Sequence, residues 1–154
     1  SSALFLQTDG ETIEEGEVFI GEKRIRLEYQ SPKRLTIVLT PKKGMYVNHA
    51  LKETQYFNTK KSFVDIFLKI LTGKNFYEES FMAFSEQNIL IKNDLLISDT
   101  LYKTEIIYEN DPIKLRKIKI KEEDREIEIG FYNHNNLRTL DVRFFSLINP
   151  YLDQ

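Results

Sequence analysis

From Gly16 to Asn58, apolar and polar residues alternate along five short segments with almost no helical period. Strict alternation sends every second side chain to the same face of a sheet. In Arg24 to Gln30, the residues Ile25, Leu27 and Tyr29 share one face, and Arg24, Arg26 and Glu28 share the other. Leu35, Ile37 and Leu39 repeat the pattern within Arg34 to Thr40. The alternation predicts strands over Glu17 to Gly21, Arg24 to Gln30 and Arg34 to Thr40. Pro32 separates the last two, because it has no N–H to give to a ladder. Pro41 to Gly44 reads as a turn, and Lys43 to His49 with Lys52 to Asn58 as a hairpin through Ala50-Leu51. Ala3 to Gln7, before a turn at Asp9-Gly10, is expected to be an edge strand or the end of a helix.

The period changes at Ser62. Phe63, Ile66, Phe67, Ile70 and Leu71 follow at helical spacing, Ser62 and Asp65 resemble a capping box, and Gly73 suits a C-terminal cap. Val64 and Leu68 widen the apolar arc, as suits a helix with sheet on one side and a second apolar surface beside it. A shorter helix over Phe76 to Phe84, capped by Asn75, is the expectation for a stretch whose pattern is ambiguous. Strand patterns return at Asn88 to Lys92, with Leu95 to Ile97 as a further candidate. Thr104 to Glu109, Ile113 to Lys121, Arg125 to Tyr132 and Leu137 to Phe145 follow. A tight turn at Glu123-Asp124 would set Ile120 against Ile127, Ile118 against Ile129, Lys121 against Glu126 and Lys119 against Glu128. Such opposite-charge pairs contribute roughly 0.2–1 kcal/mol each. The apolar parity slips at Arg116-Lys117, which predicts a bulge.

Strands, one helical segment, then strands make a single, mainly β (α+β) domain over residues 1–154. The expected form is a curved antiparallel sheet, or an incompletely closed β-barrel, with a helical lid or plug. A sheet wet on one side must bury its other face. The helix is short, so the sheet is expected to curl around it. A curled sheet with an apolar inside is a container, which points to an apolar cargo.

Charge and composition remove several alternatives. The 22 basic and 24 acidic residues leave a net charge of −2, so no global field draws the chain to nucleic acid or to an anionic membrane. With no cysteine, disulfides, thiolate metal sites and cysteine catalysis are excluded. No apolar run approaches the roughly 20 residues that span a bilayer. No signal peptide opens the chain, and secretion stays open. Eleven Phe and eight Tyr without a Trp can line a cavity as well as fill a core.

Chemistry-bearing motifs are sparse. His49 and His134 are far apart, lack a paired-ligand spacing and read as surface histidines, so no metal is expected. No serine sits in a nucleophile elbow, and the six scattered glycines form no phosphate cradle. Glu122-Glu123-Asp124 reads as a hairpin tip, not a calcium loop. Lys114, Arg116, Lys117, Lys119 and Lys121 are dense, two of them face glutamates in the expected register, and the cluster reads as a solvated face. Lys42-Lys43 and Lys60-Lys61 flank turns, where a docking role stays open. No catalytic residue and no cofactor is expected. What remains is apolar area: an acyl chain of roughly a dozen methylenes gains about 10 kcal/mol on burial, before ordering costs.

The run Arg24-Ile25-Arg26-Leu27-Glu28-Tyr29 followed by Pro32 resembles an "R-F-R-W-E-Y … P" strand. Leu35 to Leu39, the Lys43-Gly44 turn and Met45-Tyr46-Val47 follow in the same order. Thr104 to Pro112, with Leu115 and Ile118, is similar to an "L-x-L-x-F-D-x-x-P … L … W-x-V" segment, and Phe144-Phe145 … Asn149-Pro150 fits its close. These patterns belong to the LolA-type outer-membrane lipoprotein carriers, and the resemblance covers nearly the whole chain. It implies an unclosed antiparallel barrel lidded by helices. It also implies a monomeric periplasmic chaperone that takes acylated lipoproteins from an inner-membrane ABC transporter and passes them to an outer-membrane receptor. The family's cavity positions fall on Ile25 and Leu27, with Ile118 in place of a second Trp. The Arg-Pro pair that helps hold the lid in the family is missing near Gly21-Glu22, and Lys23 or Arg24 is the candidate replacement.

The expected acyl cavity uses Phe19, Ile25, Leu27, Tyr29, Ile37, Leu39, Val47, Phe67, Ile70, Leu71 and Phe144, with Lys23 or Arg24 as latch. Three other readings compete. A sensory module of the same fold would want a further domain or a regulator, and none is expected after Gln154. A soluble binder of fatty acids or other lipids would share the cavity. An enzyme would need a constellation that these residues do not supply.

Overall fold

The computed structural model describes residues 1–72, 81–136 and 139–152. Eleven strands run in chain order among the described residues. They are β1 (Ser2–Thr8), β2 (Ile13–Ile20), β3 (Ile25–Ser31), β4 (Leu35–Leu39), β5 (Lys43–Asn48), β6 (Glu53–Asn58), β7 (Phe81–Phe84), β8 (Asn88–Ile97), β9 (Thr100–Glu109), β10 (Lys114–Glu122) and β11 (Arg125–Asn135). Helix α1 (Val64–Thr72) lies between β6 and β7 in the chain. All pairings are antiparallel, in the spatial order β6-β5-β4-β3-β2-β1-β11-β10-β9-β8-β7. The edges β6 and β7 do not meet, so the sheet is curved but not closed into a barrel.

Local chemistry accounts for the register. Across β10 and β11, Ile118 faces Ile129, Ile120 faces Ile127, Lys119 faces Glu128 and Lys121 faces Glu126, as the charge and apolar patterns require. The register between β9 and β10 slips between Leu115 and Lys117, at the expected bulge. Ser98 and Asp99 both take positive φ in the two-residue loop from β8 to β9, the geometry that matches the twist of a hairpin. The β5–β6 hairpin forms as expected, with Asn48 opposite Glu53.

Two apolar clusters sandwich the β2–β5 half of the sheet. The larger fills the concave side, where Ile66, Phe67, Leu68 and Ile70 of α1 pack among Phe5, Val18, Ile25, Leu39, Ile106 and Ile118. The wide apolar arc of the helix is thus used on more than one side. The smaller cluster lies on the convex side. There the C-terminal segment, with a 3-10 turn at Val142–Phe145, lays Leu140, Phe144, Phe145, Leu147 and Tyr151 over Phe19, Val38, Met45 and Val47.

Several expectations are corrected. Ala3 to Gln7 is neither an edge strand nor a helix end: β1 is central, because β11 returns to pair along its free side. Asn88–Lys92 and Leu95–Ile97 are parts of one strand, β8, paired throughout with β9. Phe81 to Phe84 is strand, not helix, since it pairs with Ile89 to Lys92 of β8. Gly73, Asn75 and residues 76–80 lie outside the described residues. Within the expected strand Leu137 to Phe145, the described residues 139–145 are not strand. Residues 137–138 are outside the described set, and the rest is the convex-face segment, whose aromatics pack downward instead of pairing edge to edge. Helix α1 begins at Val64, two residues after Ser62. Ser62 caps the preceding 3-10 turn, and its hydroxyl accepts from the Val64 N–H at 3.4 Å. Asp65 forms an ion pair with Lys69 at 3.0 Å.

Candidate functional site

A cavity of about 200 Å³ lies between α1 and the concave face. Phe5 and Gln7 of β1, Glu14 of β2, Leu27 and Tyr29 of β3, Leu35 and Ile37 of β4, and Tyr46 of β5 form its sheet wall. Phe63, Val64, Phe67 and Leu71 close it from the helix side. Ile127, Ile129 and Phe131 of β11 complete it. The alternation of each strand brings these residues to one face, and the β1–β11 pairing curls the two halves of the wall together. At Gly16 the missing side chain leaves room for the Phe5 ring, which meets Tyr29 edge to face at 5.0 Å. A Cβ there would sit 2.2 Å from the Glu28 carbonyl oxygen.

Most of the wall is apolar, and its polar groups are few. Gln7 and Glu14 stand opposite each other across β1 and β2. Tyr29 Oη donates to Gln7 Oε1 at 2.7 Å. Burial pushes the Tyr29 phenol far above its ordinary range, and the negative charge of Glu14 adds to the effect. Glu14 is half-buried, and its carboxylate has no hydrogen bond or ion pair among the described residues. No Lys, Arg or His lines the cavity among the described residues.

Of the expected site residues, Leu27, Tyr29, Ile37, Phe67 and Leu71 line the cavity. Ile25, Leu39 and Ile70 belong to the same concave cluster but pack solidly behind the wall. Phe19, Val47 and Phe144 are not at the cavity. They face the convex side, where Phe19 meets Phe144 edge to face at 4.7 Å. The strands of Phe19 and Val47 carry apolar residues on both faces because the C-terminal segment, which holds Phe144, covers the second one. The latch candidates form no side-chain bond to α1 among the described residues. Lys23, in the β2–β3 turn at φ 57°, lines an outer groove beside the helix with Lys60, Asp65 and Lys69. The two lysine pairs flagged by the sequence do come together, since the Thr59 N–H donates to the Lys42 carbonyl at 3.2 Å.

The residues that sequence reasoning missed are mainly Phe5, Gln7, Glu14, Tyr46, Phe63 and the β11 trio. The β11 signal was present: Ile127 and Ile129 share the parity of the isoleucines they face across the hairpin. The histidines also do more than face water. His134 Nε2 donates to the Leu115 carbonyl at 2.8 Å, which ties β11 to the bulge in β10. His49 joins a convex-face network. Arg26 pairs with Glu28 at 2.6 Å, the Thr36 hydroxyl donates to Glu28 at 2.8 Å, and His49 Nε2 lies 2.7 Å from the same hydroxyl. Because Thr36 has spent its proton on Glu28, His49 Nε2 is the donor and Nδ1 accepts from Tyr151 Oη at 2.6 Å. Arg26 also donates to the Phe144 carbonyl at 2.9 Å, so this network straps the C-terminal segment onto the sheet.

Among the described residues, no three His, Asp or Glu side chains converge as metal ligands, and no helix is long and apolar enough to cross a membrane. Compared with protein-family models and with curated proteins, the chain shows no match.

Proposed function

We propose that this protein is a non-enzymatic carrier of acylated lipoproteins, holding acyl chains between α1 and the concave face of the sheet. The observation that carries the reading is the apolar cavity of about 200 Å³ beneath the helix, in a sheet whose edges are left unjoined. The volume falls below the roughly 300–1,000 Å³ usual for ligand pockets, so the resting cavity admits part of one chain and a full load needs α1 to move. The motif resemblance to LolA-type carriers supports the same reading, because the unclosed antiparallel sheet it implies is the architecture observed. On that reading the protein works in the periplasm as a monomer, between an inner-membrane ABC transporter and an outer-membrane receptor.

The test is co-expression with a bacterial lipoprotein, purification from the periplasm and native mass spectrometry. The expected species is the carrier with one acylated lipoprotein, lost when the lipoprotein's lipidation cysteine is replaced. A complex that forms equally well without acylation would overturn the reading.

A further inference from the structure

We propose that the cavity selects its ligands by the charge of the group that follows the acyl chain. It admits a head with N–H donors and no negative charge, and it rejects a carboxylate. The inference rests on the reading of this cavity as an acyl site and names the ligand class that such a site takes.

The polar lining is gathered, not scattered. Gln7 and Glu14 are cross-strand partners, Tyr29 is bonded to Gln7, and Tyr46 lines the same cavity from β5. Phe63, Phe67 and Ile127 are among the residues that keep the rest apolar. A ligand that buries its chain against the apolar part brings its first polar atoms to the Gln7–Glu14 cluster. The charge it meets there is one-sided. Glu14 is a carboxylate with no cation beside it, and the lining holds no Lys, Arg or His among the described residues. The Tyr29 phenol donates its hydrogen bond to Gln7 and keeps its proton, so it adds no charge.

A fatty-acid carboxylate placed here would stand against a like charge with nothing to neutralise either ion, and such juxtaposition is a means of rejection. An ammonium or an amide N–H would give Glu14 the donor it lacks. That chemistry is found where an acyl chain joins the amino terminus of a lipoprotein. It is the reverse of what a free-fatty-acid site requires, which is a basic residue at the polar end.

Three probes of one chain length separate the possibilities: dodecylammonium, dodecanoate and uncharged dodecanamide, titrated below their micelle concentrations at neutral pH. The wild-type chain is expected to bind dodecylammonium and dodecanamide, and to bind dodecanoate at least about tenfold more weakly. Glu14→Gln should shrink that difference, and Glu14→Lys should invert it, with circular dichroism confirming that each variant keeps the sheet. Equal affinity for the three probes in the wild type would overturn the selection while leaving the acyl site standing, as would a preference that survives Glu14→Lys. Failure of the uncharged probe to bind would instead remove the acyl site and the selection together.

Discussion

Replacing Leu27 by Glu puts a carboxylate into the middle of the cavity's sheet wall, between Val18 and Ile37 on the adjoining strands. A methylene is about the size of a water molecule, near 30 Å³. The cavity of about 200 Å³ then holds roughly six or seven methylenes, a gain of about 5 kcal/mol at about 0.8 each. Leu27 is only half-buried, so in the empty protein the new carboxylate keeps contact with water and the fold survives. An acyl chain entering the cavity would strip that water away and leave an ion with no partner, a penalty of several kcal/mol that cancels the gain. Acyl capture should therefore fall at least a hundredfold, about 2.7 kcal/mol. Leu27→Met, which conserves volume, should change it little. The assay is titration with a fluorescent acyl probe, checked by circular dichroism and urea unfolding. A Leu27→Glu protein that keeps the sheet and captures the probe as well as wild type would refute the assignment of this wall.

Other consequences concern stability and pH. Gly16→Ala sets a Cβ against the Glu28 carbonyl at 2.2 Å, and Gly44→Ala sets one against the Phe57 ring at 2.2 Å. The backbone cannot turn aside as a ring can, so urea denaturation should show the greater loss for Gly16→Ala, at or above about 1–3 kcal/mol. Ile118→Ala empties a site buried on all sides and should cost about 2–5 kcal/mol in the same assay. His49 is held below the ordinary imidazole value of 6.5, chiefly by desolvation and then by Arg34, with Glu28 opposing and Arg26 adding. As pH falls through that value, the unfolded chain takes up the proton first. The stability tied to neutral His49 is thus whole above about 6.5 and declines below it. His49→Gln should flatten that part of the denaturation profile, and an unchanged slope would show that the strap network does not titrate.

The strands that could be read correctly are those in which local chemistry is one-sided. In β3 and β4 the concave face is apolar and the other face is largely polar, so Ile25, Leu27, Tyr29 and Ile37 were legible from alternation alone. The β10–β11 register was legible because the ladders of isoleucine and of charge agree on one alignment. Legibility failed where both faces are covered. Val18 and Phe19 are adjacent and both buried, one under the helix side and one under the C-terminal segment, so parity cannot say which faces the cavity. Met45 and Val47 fall on the convex face for the same reason, while Tyr46 lines the cavity. The central place of β1 depends on pairing with residues more than a hundred positions later, which no local pattern contains. Phe81 to Phe84 is too short an apolar run to separate strand from helix by period.

The helix occupies the place that the proposed cargo would need, and its size matters to whether cargo can be released. Ile66, Phe67, Leu68 and Ile70 are buried against the concave face. Returning four such side chains to water costs about 6–12 kcal/mol, at about 1.5–3 kcal/mol each. A chain of about a dozen methylenes taking their place regains about 10 kcal/mol. The two quantities are of one size, so exchanging helix for cargo lies near balance, where a cavity that stood open at all times would hold its ligand too tightly to give it up. The unjoined edges β6 and β7 matter for the same reason. A closed barrel would have to break strand pairing to widen, whereas this sheet can flatten with every ladder intact. On the proposed carrier reading, a small resting volume is then no objection to carriage: a short helix on an open sheet would bring the free energies of loading and unloading within reach of a docking partner.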